Sequence, residues 1–524
     1  MIRKGGFGAT PAPGHKAQYT GDRLEEPSKL DAVRDAREAQ LDAARPAAIA
    51  RHKGKGRLTA RENIADFVDP ESFVEYGMLA RPAREGMEGA ADGLVMGTGM
   101  VEGFPAAVVA YDYTVHAGTQ SAVNHMKIDH MFDLAIRQRL PTVCWLEGGG
   151  ARPHDLNIGL RGATQTFVAF ARLSGLAPTV GIVAGRVFAG NANLAGLCDV
   201  LIATPQAVLG MAGPPLVEAA LGKKFTPEEI GAVDVHLRSG VIDLLAPDER
   251  AANRLARQYL GYFRGLLGSW EAPDVARLRD LVPENPRRAY DVRRVIEHLA
   301  DLETVLELKP QYGKALVTAL ARIEGFPVGF LADQPMVLGG AIDAPAAEKA
   351  ARFIDLCDAY DVPMIFLCDT PRLMVGPETE ATGLVRRSAR LLTKLTFATT
   401  PFMTVVLRKA YGLGYYVMGS RPLEPVLLLA WPTAEFGGMG LEGAVNIIHR
   451  RELEAIEDPQ ARAAFHRERT DALKRANTAL SAAGRFDVDD VIDPADTRRL
   501  LARTLVRLPL PAPRSGRKHP VDPF

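Results

Sequence analysis

Residues 142–152, Thr-Val-Cys-Trp-Leu-Glu-Gly-Gly-Gly-Ala-Arg, form the first arrangement in this chain that can do chemistry. The apolar run Thr142–Leu146 has the composition of a buried strand, and it stops at Glu147-Gly148-Gly149-Gly150. Three glycines leave backbone N–H groups with no Cβ atoms around them, so a ligand oxygen can come close. Amides fixed in this way stabilise a developing oxyanion. Glycines after a strand also make ordinary tight turns, and only the rest of the chain separates the two readings. Two more turns of this kind follow apolar runs. One is Ala189-Gly190-Asn191-Ala192, and the other is Gly412-Leu413-Gly414-Tyr415-Tyr416, which follows Thr404–Leu407 and Arg408-Lys409-Ala410-Tyr411. A helix starting near Gly414 adds free N–H groups and a dipole that favours negative charge.

The usual side-chain machinery is missing. The sequence has no G-x-S-x-G elbow, no phosphate-binding G-x-x-x-x-G-K-[ST] and no H-E-x-x-H zinc motif. Gly97-Thr98-Gly99 with Gly103 is one residue out of register for a dinucleotide fingerprint. His116, His236 and Asp112 read as hydrogen-bonded structural residues. A site rich in amides and poor in acid/base groups needs a reactant that carries its own base.

The elements that must position these turns belong to a large α/β protein. At 524 residues the chain can fill two to four domains. Lys plus Arg and Asp plus Glu are both 63, a balance that argues against nucleic-acid or membrane-surface partners. The four cysteines, Cys144, Cys198, Cys357 and Cys368, lie far apart and read as buried thiols in a reducing compartment, with no metal site. No apolar stretch reaches the roughly 18 residues of a membrane span. The N-terminus has no signal-like core, so a cytoplasmic location is expected. Residues 1 to about 28 read as a loose arm, Leu30 to about Arg51 as a helix, and 53–77 as a basic loop, a helix and a turn at Asp69-Pro70. Strands are expected at Ala106–Tyr111, Thr142–Leu146, Val180–Ala184 and Val200–Ala203.

An internal repeat organises this α/β pattern. Glu102-Gly103-Phe104-Pro105 recurs as Glu324-Gly325-Phe326-Pro327, an offset of 324 − 102 = 222. At the same offset Gly118 meets Gly340, Lys127 meets Lys349, Asp133-Leu134 meets Asp355-Leu356, and Pro141 meets Pro363. Upstream, at an offset of 232, Asp69, Glu71 and Glu75 meet Asp301, Glu303 and Glu307. The expected division is an arm at 1–29, domains at 30–270 and 271–510, and a tail at 511–524, with the boundary near Trp270–Pro286. Duplicated domains invite a site at a shared interface.

Ordered motifs along nearly the whole chain, from about Leu30 to Leu505, carry a family resemblance. They are KGKGRLTAREN with DPESFVE, DYTVHAGT at 112–119, GGGAR at 148–152 and AGPPLV at 212–217. ENPRRAYDVR at 284–293, AIDAPAAEKAARFIDLCDAY at 341–360 and DTPRLMVG at 369–376 follow, then RKAYGLGYYVMG at 408–419 and WPTAEFGGMGLEGAV at 431–445. In this order they resemble the carboxyltransferase (β) subunit of biotin-dependent acyl-CoA carboxylases. The resemblance implies two tandem crotonase-like domains of ββα spiral units. The first faces acyl-CoA, the second faces biotin, and the active site lies at a dimer interface in a ring-shaped hexamer. It implies carboxybiotin, carried on a partner subunit or domain, as the source of CO2. The biotin nitrogen is then the base that forms the acyl-CoA enolate, which explains the missing side chains. One oxyanion pair is assigned by resemblance to Gly149 and Gly150, the other to Leu413 and Gly414. Ala151, Arg152, Gly190, Asn191, Tyr415 and Tyr416 are the substrate-binding candidates. Lys53, Lys55, Arg57 and Arg152 are candidates for the CoA phosphates.

The chain departs from the family pattern at Gly148, Asn191, Leu413 and Tyr416. Tyr416 stands where propionyl-type relatives carry Asp, so neither the propionyl nor the acetyl substrate is favoured. No Met-Lys-Met biotinylation site is present, and no stretch is left to hold a biotin carboxylase. A biotin carboxylase / biotin carboxyl carrier partner is therefore expected. An acyl-CoA decarboxylase subunit and a non-catalytic paralogue are the alternative readings.

Overall fold

The computed structural model describes residues 28–153, 165–286, 288–509, 511 and 515–524, and the arm expected at 1–29 falls almost wholly outside them. In the first half the strands are β1 (Val74–Glu75), β2 (Leu94–Val101), β3 (Phe104–Tyr111), β4 (Thr142–Trp145), β5 (Thr179–Val183), β6 (Arg186–Phe188), β7 (Val200–Ala203), β8 (Val208–Gly210) and β9 (Leu244–Leu245). In the second they are β10 (Leu306–Leu308), β11 (Leu316–Ile323), β12 (Phe326–Asp333), β13 (Met364–Thr370), β14 (Phe402–Tyr411), β15 (Leu427–Ala430), β16 (Glu435–Gly437) and β17 (Asp490–Val491). One sheet has the order β1-β2-β3-β4-β5-β7-β9 and the other β10-β11-β12-β13-β14-β15-β17. Each begins with antiparallel pairs and continues parallel. The parallel strands are buried on both faces, in keeping with their predominantly apolar content.

The sequence offsets return as matched hydrogen bonds. Asp69 accepts from the N–H groups of Glu102 and Gly103, and Asp301 accepts from those of Glu324 and Gly325. Arg61 forks onto Glu75, and Arg293 onto Glu307. Lys127 donates to the carbonyls of Ala91 and Leu94, while Lys349 donates to those of Lys309 and Tyr312. Burial pulls Lys127 down to about 8 and Lys349 down to about 7. The halves differ in one strand. β5 and β6 are separate, whereas β14 runs on through the same length to pair β13, β15 and β16.

Fourteen of the 16 residues of the helix Ala344–Ala359 are buried, against eight of 17 in its counterpart Ala122–Gln138. The difference comes from its place between the halves. Ala346, Ala350, Phe353 and Ile354 share one core with Val143, Trp145, Ile182 and Tyr259. The run of alanines in this helix is thus a close-packing requirement. The helix expected from Leu30 to about Arg51 is broken into Lys29–Glu38, a 3₁₀ turn at Asp42–Ala44 and Pro46–Lys53. Arg45 precedes a proline, which disfavours the helical backbone, and its side chain turns inward onto Asp112 and Thr114.

The last described residues close over the junction between the halves. The Val521 N–H donates to Ser174 Oγ, Arg517 reaches the carbonyls of Ser174 and Arg172, and Val521 is buried. On the other side Lys518 bonds Asp358 and Asp361, and Asp522 meets Arg390 and Lys394. His519 places Nε2 2.9 Å from Asp358 and Nδ1 3.4 Å from Asp355. The hydrogen bond to Asp358 raises the His519 pKa above its ordinary value, against the opposing effect of burial. A raised folded-state value means that its stabilisation is complete below about pH 6.5 and is lost as pH rises through the folded value. The melting-temperature gap between wild type and His519→Gln should therefore be widest near pH 6 and shrink towards pH 9. Scanning fluorimetry across that range checks it.

Candidate functional site

The turn 148–150 stands at the carboxyl end of β4, where α/β sheets place their ligands. It is clamped from three sides. The Gly148 N–H donates to the Arg186 carbonyl, and the Gly148 carbonyl accepts from Phe188. Gly148 itself, at φ 145°, packs so closely on the Gly118 carbonyl that a Cβ atom would lie 2.1 Å from that oxygen. The Gly150 carbonyl accepts from Gln120, whose own carbonyl accepts from Arg152. The Gly150 N–H is taken by Asn191 Oδ1 at 3.2 Å. Gly149 is exposed, and among the described residues its N–H and that of Ala151 have no acceptor.

Beside this turn, the helix Gly190–Gly196 begins directly after β6. A Cβ on Gly150 would lie 2.6 Å from the Ala189 Cβ and 3.4 Å from the Gly190 nitrogen, so turn and helix start are in contact. The N–H groups of Gly190, Asn191 and Ala192 open the helix and have no intrahelical acceptor. Asn191 is fully buried, so its side chain faces the turn and not an open cleft.

The second half repeats this layout at the offset of 222. The counterpart of Gly148–Gly150 is Thr370–Arg372, and that of Gly190–Ala192 is Gly412–Gly414. Ile342 and Met374 reproduce the main-chain bonds of Gln120 and Arg152. The helix Gly412–Val417 opens directly after β14, and a Cβ on Gly414 would lie 2.9 Å from the Arg372 carbonyl carbon. Here, however, Pro371 has no N–H, and the Arg372 N–H goes to Thr370 Oγ1. Beside this turn, the amides without an intrahelical acceptor are those at the start of the helix Gly412–Val417. Leu413 and Tyr416 are 63% and 44% exposed around them, while Tyr415 packs edge-on against Phe436. The Thr370–Arg372 turn lies in the DTPRLMVG motif at 369–376, to which the sequence assigns no site role. The repeat offset applied to Gly148–Gly150 finds it.

The charged groups near the first turn are spent on one another. Arg57 forks onto Glu147 at 3.1 and 2.9 Å and also bonds Glu249 at 3.1 Å. Burial alone lowers the Arg57 pKa, but the two carboxylates more than offset this and raise it. Arg152 is 3% exposed and pairs with Asp92 at 2.6 Å. Its guanidinium is thus a structural clamp, not an open anion contact. Lys53 bonds Glu62 on the surface, so of the four candidates for CoA phosphates only Lys55 has no partner among the described residues. His116 and His236 each bond a main-chain carbonyl, of Glu88 and Leu209, and Asp112 pairs with Arg45. The four cysteines are buried and free. Among the described residues no group of three or more His, Cys, Asp or Glu could hold a metal, and no helix is long and apolar enough to cross a membrane. The arrangement can bind oxyanions through main-chain N–H groups, and among the described residues the charged side chains flanking the first turn are paired within the fold.

The carboxyl transferase domain family matches residues 51–512. The methylmalonyl-CoA carboxyltransferase 12S subunit of Propionibacterium freudenreichii subsp. shermanii is 37% identical over 472 residues, covering 87% of this chain and 90% of that protein. Among solved structures, a single-chain, multi-domain long-chain acyl-CoA carboxylase superposes with a TM-score of 0.85 at 47% identity. The match spans 90% of this chain but only 48% of that longer one. The transcarboxylase 12S hexamer, with methylmalonyl-CoA and methylmalonic acid bound, gives 0.83 at 35% identity, covering 93% and 96% of the two chains.

The glycines of the first turn should separate by role. Gly148→Ala and Gly150→Ala force a side chain into a left-handed backbone and a filled space, and each should lower stability by about 1–3 kcal/mol. At Gly149 a Cβ would meet only the Thr119 methyl at 3.6 Å. Gly149→Ala should therefore melt within about 2 °C of wild type, as most changes away from packed features do. Thermal unfolding of the three variants checks the order.

Proposed function

Because the chain belongs to the carboxyl transferase family and is a carboxyltransferase subunit of the biotin-dependent acyl-CoA carboxylase type, we propose that it carboxylates the α-carbon of an acyl-CoA thioester. Biotin, carried by a partner, supplies the carboxyl group and the base when bound. The residues of this chain bind, orient and exclude water. One observation carries the reading: among the described residues, main-chain amides without internal acceptors stand at the strand ends of both halves, and the charged groups flanking the first turn are paired within the fold.

In the first half the donors are Gly149, one of the pair Gly149 and Gly150 that the resemblance implies, and Gly190 at the adjacent helix start. Gly150 supports them through its bond to Asn191. In the second half the donors are Leu413 and Gly414. The exposed start of the helix Gly412–Val417 suits a ureido oxygen, and Leu413 and Tyr416 provide an apolar rim for a ring or an acyl chain. The matched strand orders and hydrogen bonds favour an ancestral duplication into two crotonase-like units, with the acyl-CoA side at 30–270 and the biotin side at 271–510. A hexamer pairing the first half of one subunit with the second half of its neighbour fits two amide clusters held on separate sheets.

The test is ATP-dependent fixation of labelled bicarbonate into acetyl-, propionyl- and long-chain acyl-CoA, in the presence of the biotinylated subunit that co-purifies with this chain. Label in one acyl-CoA is expected. Loss of carboxyl from a carboxylated acyl-CoA, with no fixation, would instead identify a decarboxylase. Gly149→Val, which shields the first-half amide, should lower turnover by about 10²–10³ with the oligomer intact.

A further inference from the structure

We propose that Asn191 is the positioning residue of the first-half oxyanion cradle, holding the Gly149 N–H at a fixed place relative to the helix that begins at Gly190. This rests on the carboxyltransfer reading above. Asn191 is the second residue of that helix and is fully buried. Its Oδ1 accepts the Gly150 N–H at 3.2 Å, and its Nδ2 donates to the Glu147 carbonyl at 3.2 Å. One side chain thus bonds the residue before the glycines and the last of them, and it fixes Gly149 between the two. The bond to Oδ1 also turns the Gly150 N–H inward, which leaves Gly149 as the donor of the three glycines that faces out.

The second half shows what this arrangement replaces. Leu413, the counterpart of Asn191, is 63% exposed and reaches nothing equivalent. The turn there is held locally, by Thr370 Oγ1 accepting the Arg372 N–H at 3.3 Å and donating to the Arg372 carbonyl at 3.2 Å. A local bond fixes a turn but does not tie it to the neighbouring helix. In the first half the side chain makes that tie, so two donors from different segments keep one geometry. Carboxamide chemistry is required, because the site asks for one acceptor and one neutral donor on the same planar group.

Asn191→Asp is nearly isosteric and converts this requirement into a titration. A protonated carboxyl can accept from Gly150 and donate to the Glu147 carbonyl, as the amide does. An ionised one cannot donate, and it places a negative charge beside the developing oxyanion. Among the described residues the titratable groups around the clamp are Glu147, paired with Arg57, Arg152, paired with Asp92, Tyr111, which accepts from Gln120 beneath Gly190, and His125, which packs on Phe167 beside Gly190. Wild type shares them, so the ratio of variant to wild type cancels their effect.

The measurement is kcat and KM for the acyl-CoA that wild type carboxylates best, using the complex with its biotinylated partner, between pH 6 and 8.5. Asn191→Ala should lower kcat about 10- to 100-fold, the range for a misplaced catalytic geometry. The acyl-CoA KM should stay within about twofold, as for a loss confined to the transition state. The kcat ratio of Asn191→Asp to wild type should rise at least about fivefold from pH 8.5 to 6, as protonation restores the donor. A flat ratio with wild type active would overturn the positioning role and leave the carboxyltransfer reading standing. So would a KM that rises in step with the fall in kcat, the mark of a turn that is only loosened. A wild-type complex that carboxylates nothing would bring down both.

Discussion

A backbone N–H that is to hold an oxyanion must be fixed in place and yet have no acceptor inside the protein. These demands conflict, because a folded chain normally pairs its buried amides. The chain resolves the conflict at the ends of parallel strands, where the ladder stops and the next helix has not yet begun its own bonds. Around each exposed amide the neighbouring groups are tied down. In the first half Gly148 is bonded on both sides, the Gly150 carbonyl is held by Gln120, and the Gly150 N–H is held by Asn191. Rigid surroundings then hold the unpaired Gly149 in place.

Charge is handled in a similar way. Glu147 directly precedes the glycines, and a free carboxylate there would oppose an oxyanion. Its partner Arg57 also serves Glu249, which caps Leu58 and bonds Asn63. Arg152 directly follows the turn and is spent on Asp92. Both charges flanking the cradle are thus paired within the fold, Glu147 with an Arg57 that it shares with Glu249, and Arg152 with Asp92. Breaking such a buried pair from one side leaves the other charge without compensation, which is strongly destabilising.

The two halves share a layout but hold it together differently. The first uses glycines with a long-range carboxamide clamp, and the second uses Thr370, Pro371 and a continuous β14. The helix Ala344–Ala359 and the segment 515–524 bind the halves to each other, so each cradle is built on a common core.

Much of this was legible in the sequence because it is local or periodic. Strand runs such as Thr142–Trp145 announce themselves by composition, and the repeat is visible because both copies keep the residues that cap the same turns. Gly148 and Gly150 stand out because a side chain at either would meet a strained backbone and an occupied space. Arg152 reads as a ligand contact until Asp92, 60 residues away, is seen to take it. Gly149 and Gly150 read as an equivalent pair, and only the Asn191 side chain, 41 residues on, separates the inward amide from the outward one. At the broken helix 39–45 the proline after Arg45 is visible in the sequence, while the pairing of Arg45 with Asp112 is not. The sequence by itself determined which residue types and backbone freedoms were present and in what order. Tertiary structure decided which polar groups were already satisfied. A hydrogen bond between distant residues leaves no trace in spacing, and the chemistry proposed for this chain depends on the amides that such bonds leave unpaired.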